Sequence, residues 1–293
     1  MSSILTNTGA MTALQTLKSI NSSLGDTQSA ISTGKDISTA KDNAAVWAIS
    51  KVMESDVAGF NAIEDSLALG ESTVAVASTG AEQIVEKLNE MKEKIVSATG
   101  ENVDNDKLTA DVNELKKQIG SIINASQFNG ANLLRTDVDG NGGTGISVLS
   151  SLDRVGSGTG ATVSASNINV ASADLEAAFG TYSAAASDGG MLTDIDVSSA
   201  TAADASLAAI EAHIQTATNK AAELGAAASR ISDQSDFISK LSDAVTSGIG
   251  SLVDADMEET SARLQALQVQ QQLGTQALSI ANQAPQQLLS LFQ

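Results

Sequence analysis

The stretch DVDGNGG, residues 137–143, has the spacing in this chain that most resembles a metal site. Asp137, Asp139 and Asn141 stand at alternate positions, as the first three oxygen ligands of a calcium loop do. The glutamate that should close such a loop is absent, and Val148 stands in its place. Asp-Gly and Asn-Gly pairs are also common turn sequences. The stretch therefore favours a plain glycine turn, and we expect no metal and no other cofactor.

His213 is the only histidine, which excludes multi-histidine metal sites and the HExxH motif of zinc proteases. It lies beside Ile210 and Ile214 in a helical pattern, so we interpret it as a structural side chain.

Carboxylates in pairs could serve as acid and base in catalysis, and the chain offers Asp254 with Asp256 and Glu258 with Glu259. No surrounding pattern indicates a substrate pocket. Solvated or helix-capping carboxylates are the simpler interpretation. We therefore predict that the protein is not an enzyme.

Composition excludes several classes of function. The 293 residues include no cysteine, so disulfides and thiolate metal sites are impossible. With 16 basic and 35 acidic residues the formal charge is −19, which disfavours nucleic acid as a partner. No apolar run is long enough to predict a membrane span, and the first residues lack the pattern of a cleavable signal peptide. Only 2% of residues are aromatic, which favours helical seams of Leu, Ile, Val and Ala.

Most of the chain is organised by two long series in which an apolar residue recurs at every seventh position. The first runs from Val46 to Ala98, with an offset series that includes Ile49, and predicts one continuous helix about 80 Å long. The second runs from Ile210 to Leu252. We predict that both contribute to a rod seam made of Phe60, Leu67, Val74, Leu88, Ile95, Leu224, Ile231 and Ile238.

Both ends of the sequence are almost free of charge. Residues 1–17 and 264–293 contain no charged side chain. We expect the first and last segments to pair as antiparallel helices whose uncharged outer faces need neighbouring molecules. The residues predicted to contribute to subunit assembly are Leu17, Leu24, Ile31, Leu264, Leu267, Leu278, Pro285, Leu288, Leu289 and Phe292.

The middle of the chain has a different composition. Residues 140–160 contain seven glycines, and Ser, Thr, Asp and Ala dominate the residues that follow. This composition predicts loops and a few strands. We therefore predict a mainly α fold: an elongated antiparallel coiled coil or helical bundle formed by both chain ends, with a small β-containing insertion rich in Gly, Ser and Thr.

Several motifs, in order along the chain, resemble those of bacterial flagellin. They are ISTGKDISTAKDNAAVWAIS from Ile31, QFNGANLL from Gln127, ELGAAASRI from Glu223, the triplet Asp254–Asp256, and ANQAPQQLLSLFQ at the end. The resemblance covers about the first 135 and the last 75 residues. Departures such as Lys35 and Asp36 in place of a usual Leu-Arg affect particular contacts between subunits.

The resemblance implies an extracellular subunit that self-assembles into the helical filament of the flagellum and serves swimming. It implies an inner-tube domain of residues 1–40 with 255–293, an outer-tube rod of residues 41–150 with 200–254, and a surface-exposed variable insertion of residues 151–199. The implied partners are further copies of the chain, the flagellar export apparatus, an export chaperone, the filament cap and the hook-junction proteins. Pro285 is expected to set a bend or the start of a final helical turn.

Two alternatives stay open. One is a hook–filament junction protein with similar ends, and the other, from a different class, is a secreted coiled-coil adhesin or effector. A flagellin with an inserted protease is excluded by the single histidine.

One segment bears on recognition by the innate immune receptor for flagellin. In flagellins that activate this receptor, the long N-terminal helix carries a segment to which LNEMKEKIVS, residues 88–97, is similar. Glu90 stands where that segment has a receptor-contacting arginine, and Lys94 replaces a leucine that packs on the receptor. The resemblance therefore implies weak receptor binding.

Overall fold

The computed structural model of the protein describes residues 7–155 and 162–290, with side chains described for residues 7–154 and 162–283. In chain order the elements of these ranges are α1 (Thr8–Thr33), α2 (Ala44–Ala98), α3 (Asn105–Ala125), β1 (Gly145–Val155), β2 (Thr162–Ala171), α4 (Leu175–Phe179), α5 (Ala200–Val253) and α6 (Met257–Ser290). The predicted mainly helical fold with a small β-containing middle is confirmed. Within the described ranges no helix has the length and apolarity needed to cross a bilayer.

The chain forms two compact units. The first consists of Met1–Val57 with Asp243–Gln293, and the second of Ala58–Ser242. The division into three parts made from the sequence stays a prediction.

In the first unit, α1 and α6 pair in antiparallel orientation, as the uncharged ends predicted. The side chain of Asn7 donates a hydrogen bond of 2.7 Å to the carbonyl oxygen of Ala281. Near the middle of α1, the Asn21 side chain accepts a 2.7 Å hydrogen bond from Gln271. Leu17 packs closely over Gly274, where an added Cβ would lie 3.2 Å from its Cδ1 atom.

The ends of α1 and α5 are tied together within this unit. At the end of α1 the chain turns through Gly34, whose φ of 70° is the left-handed conformation that glycine adopts most readily. The amide of Asp36 then donates to the carbonyl oxygen of Val253 at 2.8 Å, and the amide of Ala255 donates to that of Gly34 at 3.0 Å. These bonds join the α1–α2 connection to the α5–α6 connection.

The single proline does not begin a separate helix, because α6 continues through Pro285 to Ser290. The prediction of a helix start at this position is therefore wrong, and the alternative of a bend stays a prediction. The side chain of Pro285 lies outside the described residues.

In the second unit, the repeats of α2 and α5 form the core. All eight members of the predicted rod seam are 9% exposed or less. Burying each such side chain contributes about 1.5–3 kcal/mol.

Ile49 and Leu252, which also belong to the predicted repeats, are largely exposed, by 54% and 43%. Both lie in the first unit, where Met53 of α2 meets Gly248 of α5. A pair of helices covers a narrower stripe than a core covered by several elements, so these positions remain exposed.

The strands form a two-stranded antiparallel hairpin that packs on α2. Its register runs from Gly145 opposite Ala171 to Val155 opposite Thr162, with a bulge between Leu149 and Ser151. Val148 lies directly over Gly70, where an added Cβ would come within 2.5 Å of its Cγ2 atom. The glycine therefore permits the close approach of strand and helix.

After the hairpin the chain returns to the core of the second unit. The buried side chains of this region include Leu175, Phe179, Met191, Leu192, Ile195 and Val197, each 3% exposed or less. Leu192 adopts a φ of 52°, which is unfavourable for a non-glycine residue. Its amide donates a 2.6 Å hydrogen bond to the Phe179 carbonyl oxygen, which helps to hold this conformation.

Candidate assembly surfaces

Large apolar side chains remain exposed on both helices of the α1–α6 pair. On α1, Met11 is 63% and Leu14 is 49% exposed. On α6, the corresponding values are 56% for Val269, 58% for Leu273 and 69% for Ile280. We call these five residues the apolar end surface. Exposed apolar residues on this scale indicate a surface that binds another macromolecule.

The charge distribution makes the same region suitable for packing many copies together. Lys18 and Asp26 are the only charged residues of α1, and α6 has none after Arg263. A subunit with a formal charge of −19 repels its own copies. An uncharged contact avoids most of that repulsion.

The assembly residues predicted from the sequence lie elsewhere on these helices. The six that are described, all of them half-buried, are Leu17, Leu24, Ile31, Leu264, Leu267 and Leu278. The remaining four, Pro285, Leu288, Leu289 and Phe292, have side chains outside the described residues. Contact of any of these ten with a neighbouring molecule stays a prediction. The repeat did not identify the apolar end surface, because it marks the stripe between the two helices.

A shallow groove lies between α2 and α3 in the second unit. Its volume is about 400 Å³. Residues of α2 and α3 line it, and they include Ala75, Val76, Thr79, Gln83, Ile122 and Ala125. Small side chains therefore leave room on an otherwise close-packed pair of helices.

The calcium-like loop uses its carboxylates for turn hydrogen bonds. The Oδ1 atom of Asp139 accepts from the amides of Asn141 at 2.9 Å and Gly143 at 3.0 Å, and that of Asp137 accepts from Gly142 at 2.8 Å. These backbone hydrogen bonds, first that of Asn141, lower the pKa of Asp139. Among the residues with described side chains, no three His, Cys, Asp or Glu are grouped to hold a metal ion.

The candidate acid–base residues also have local structural contacts. The Nε2 atom of His213 lies 2.8 Å from Asp194 Oδ2, and its ring meets that of Phe179 edge to face at 5.3 Å. At the start of α6, Asp256 accepts hydrogen bonds from the amides of Glu258 and Glu259 and caps the helix.

The two residues of the receptor-recognition segment form ion pairs within the subunit. Glu90 pairs with Lys87 at 2.7 Å on α2, and Lys94 pairs with Asp111 of α3 at 2.8 Å. Both pairs are solvent-exposed, so neither contributes much to stability.

Sequence reasoning missed two residues that the structure makes conspicuous. Lys116 is only 3% exposed although it is a lysine on a helix, and Phe237 is 57% exposed although it is aromatic. The seven-residue repeats could not predict the burial of Lys116 or the exposure of Phe237, because both depend on which elements pack against α3 and α5.

Comparison with known proteins gives consistent matches. The family model described as the bacterial flagellin N-terminal helical region matches residues 4–138, and that of the C-terminal helical region matches residues 207–292. The chain is 42% identical to a flagellin of Brucella melitensis over 293 residues, covering 100% of this chain and 99% of that one. It is 39% identical to flagellin FljK of Caulobacter vibrioides over 295 residues, with the same shares covered.

A solved structure is also similar. The crystal structure of Bacillus cereus flagellin matches 59% of this chain and 88% of its own, with 16% identity and a TM-score of 0.47.

Proposed function

The chain belongs to the bacterial flagellin family, and from this premise we propose how its surfaces build the flagellar filament. The protein is a structural subunit of that filament and not an enzyme. It polymerises with copies of itself into an extracellular helical filament that serves motility.

The observation that carries the proposal is the apolar end surface. Each of its five side chains is exposed by 49% or more in the single subunit. Contact with neighbouring copies would remove this apolar area from water and stabilise the polymer by about 25 cal/mol per Å². The same contact recurs at every subunit, so a modest gain per copy suffices for a long filament.

On this proposal, residues 1–40 with 255–293 form the inner tube and residues 41–150 with 200–254 the outer tube. Of the predicted insertion, residues 151–199, the exposed outer part of the hairpin around Val163 would face outward, whereas Leu175 and Ile195 are buried in the second unit. The inner assignment is supported by the near absence of charge on α1 and α6. Contacts between different faces of successive copies do not close, which gives a helical polymer of open length.

Further partners follow from the same function. The subunit would pass through the flagellar export apparatus with the help of an export chaperone. It would then join a filament that lies between the hook-junction proteins and the filament cap.

We expect the innate immune receptor for flagellin to bind the subunit weakly. Glu90 carries the opposite charge to the arginine of receptor-activating flagellins, and Lys94 is a cation where they have an apolar contact. Both side chains are already engaged in exposed ion pairs.

The proposal is tested by shearing filaments from the cell surface and identifying their main component by electron microscopy and mass spectrometry. We expect this chain to be the main component, and the purified subunit to polymerise in vitro. A few copies confined to the base of the filament would instead identify a hook–filament junction protein. A chain that stays monomeric after release from the cell surface would favour an adhesin or effector.

A further inference from the structure

Phe237 is a large apolar side chain on the outside of the second unit. It belongs to α5 and is 57% exposed, whereas the next residue, Ile238, is 1% exposed. The chain has only five phenylalanines. An aromatic ring presented to water in a chain so poor in aromatics indicates a contact with another molecule, because rings of this kind dominate the energetics of interfaces.

Two exposed cations flank this ring. Arg230 lies seven residues before it, two turns along the same face of α5, and Lys240 lies three residues after it. Of the described carboxylates, none is within ion-pair distance of either cation, although Asp233 and Asp236 lie in the same stretch. Most other basic residues of the chain do form ion pairs, as Lys92 of α2 does with Glu211. We call Arg230, Phe237 and Lys240 the α5 knob.

The α2–α3 groove has the dimensions to receive such a ring. Its volume of about 400 Å³ exceeds that of a phenyl group. Ala75, Thr79 and Ala125 are exposed along it, so it opens to solvent. None of its lining residues belongs to α5, so the groove and the knob are different faces of the second unit.

Carboxylates stand beside the groove. Glu82 and Glu86 are exposed on α2, one turn apart, and flank the groove residue Gln83. In the described part of the chain neither one forms an ion pair. The groove therefore has an apolar floor with an acidic edge. The knob has an apolar centre, with Arg230 two turns before it, the exposed Asp233 one turn before it and Lys240 one turn after it.

We propose that the occupant of the groove is the α5 knob of a second copy of this chain. Phe237 of one subunit inserts between α2 and α3 of the next, and Arg230 faces the carboxylates of Glu82 and Glu86. The inference rests on the proposed function as a filament subunit and names one of its contacts.

Charge complementarity is the reason to choose a second copy. Subunits with a charge of −19 repel one another, so a specific contact between them gains most where an unpaired cation meets an unpaired carboxylate. Because the two faces differ, the contact is heterologous and continues from copy to copy without closing.

Proximity is tested first, in the 293-residue chain, which contains no cysteine. The double variant Phe237→Cys with Thr79→Cys is polymerised and treated with a short bis-maleimide cross-linker. We expect a ladder of covalent oligomers on a denaturing gel from filaments and none from monomers. The matched control is Val96→Cys with Thr79→Cys, since Val96 is 52% exposed on α2 outside the groove and the knob. This control should give no ladder.

Energetics are tested by the critical concentration for polymerisation, measured by sedimentation. Phe237→Ala should raise it about tenfold or more, as truncation of an aromatic anchor does. Val96→Ala should leave it unchanged. Arg230→Glu should also raise the critical concentration. Adding Glu86→Arg should restore polymerisation, because the two opposite charges then face each other in exchanged positions.

The outcomes separate this contact from the proposed function. The α5 knob contact alone is overturned if wild type and Phe237→Ala polymerise equally well and the cysteine pair gives no ladder. A wild-type chain that does not polymerise and is absent from sheared filaments overturns the proposed function itself. Circular dichroism of each monomeric variant checks that the helices are intact.

Discussion

The ammonium group of Lys116 donates a hydrogen bond of 2.8 Å to the backbone carbonyl oxygen of Ile195, and both residues are buried. The bond joins α3 to a segment 79 residues further along the chain. Burial lowers the pKa of Lys116, and the nearby carboxylates of Asp188, Asp194 and Asp196 oppose that shift. The Lys116 side chain thus helps to hold the chain between α4 and α5 against α3.

Lys116→Ala should destabilise the subunit by about 2 kcal/mol, because it removes a charge-assisted hydrogen bond and leaves the Ile195 carbonyl without its donor. Urea unfolding of the monomer, followed by circular dichroism, measures the change. The matched control is Lys117→Ala, which removes an adjacent half-exposed lysine paired with Glu114 and should change stability by about 0.5 kcal/mol or less. Equal effects of the two substitutions would contradict a special role for Lys116.

Asp196 should make the same region sensitive to acid. Its pKa is lowered chiefly by the hydrogen bond from the amide of Ser198, which lies 2.9 Å from Oδ1. A carboxyl group with a lowered folded-state pKa stabilises the fold above its unfolded value, here 3.8, and loses that contribution as the pH falls through the folded value.

Asp196→Asn should therefore be less stable than wild type at neutral pH, and the difference should shrink as the pH falls below 3.8. Because Asp196 is exposed, we expect the effect at neutral pH to be below about 1 kcal/mol. Urea unfolding across a pH series measures it. Asp233→Asn, which removes an exposed charge within α5, controls for the change in net charge. A difference from wild type that grows on acidification would reverse the assigned sign.

Much of the fold could be predicted because its helices follow one simple period. The repeat from Val46 to Ala98 predicted α2, which spans Ala44–Ala98, and the repeat from Ile210 to Leu252 lies within α5. In both cases the seven-residue spacing places apolar side chains on one face of a long helix, and burial of that face selects the helix. The hairpin was predicted more coarsely, from glycine-rich turns and short alternating segments.

The sequence could not reveal which surfaces remain open. Ile280 is exposed because a different face of α6 meets α1. A helix that is half apolar has more than one face that could make this contact. Burial of Lys116 depends on a loop that is distant in sequence. The repeat specifies helices, whereas these features arise only when the elements pack together.

The apolar end surface should be dispensable for folding and required for assembly. Leu273→Ser with Ile280→Ser should change the stability of the monomer by about 0.5 kcal/mol or less, since both side chains are exposed. In the polymer each lost side chain costs about 1.5–3 kcal/mol, so the critical concentration should rise more than tenfold. Sedimentation measures it, with Gln276→Ser as a control at an exposed polar position of α6. An unchanged critical concentration would show that α6 contacts no neighbour through these residues.

The outer half of the hairpin should be removable. Leu152 lies opposite Ala165, so replacing residues 153–164 by Asn-Gly would close the shortened strands with a two-residue turn. Val163 and Ser164 in the removed part are exposed, and we expect folding and polymerisation to persist. Replacing residues 175–197 by a flexible linker should instead unfold the subunit, because Phe179 and Ile195 are each 3% exposed. Thermal unfolding and electron microscopy of filaments distinguish the two variants.

Recognition by the innate immune receptor for flagellin should improve when Glu90 and Lys94 are replaced by the residues of receptor-activating flagellins. In the resembling segment of activating flagellins an arginine stands at the position of Glu90 and a leucine at that of Lys94. Arginine supplies a bidentate donor, and leucine removes an ammonium group from an apolar contact. Neither residue is essential to the fold, because each forms only an exposed ion pair.

Glu90→Arg with Lys94→Leu should therefore raise the affinity of the monomeric subunit for the receptor ectodomain by about tenfold or more, measured by surface plasmon resonance. Glu93→Arg is the control for position, because it makes the same glutamate-to-arginine change at an exposed site of α2 beside Lys94. It should leave the affinity unchanged if the position of the arginine matters and net charge does not. Tight binding by the wild-type monomer would contradict the proposal, because the two unfavourable residues would then cost nothing.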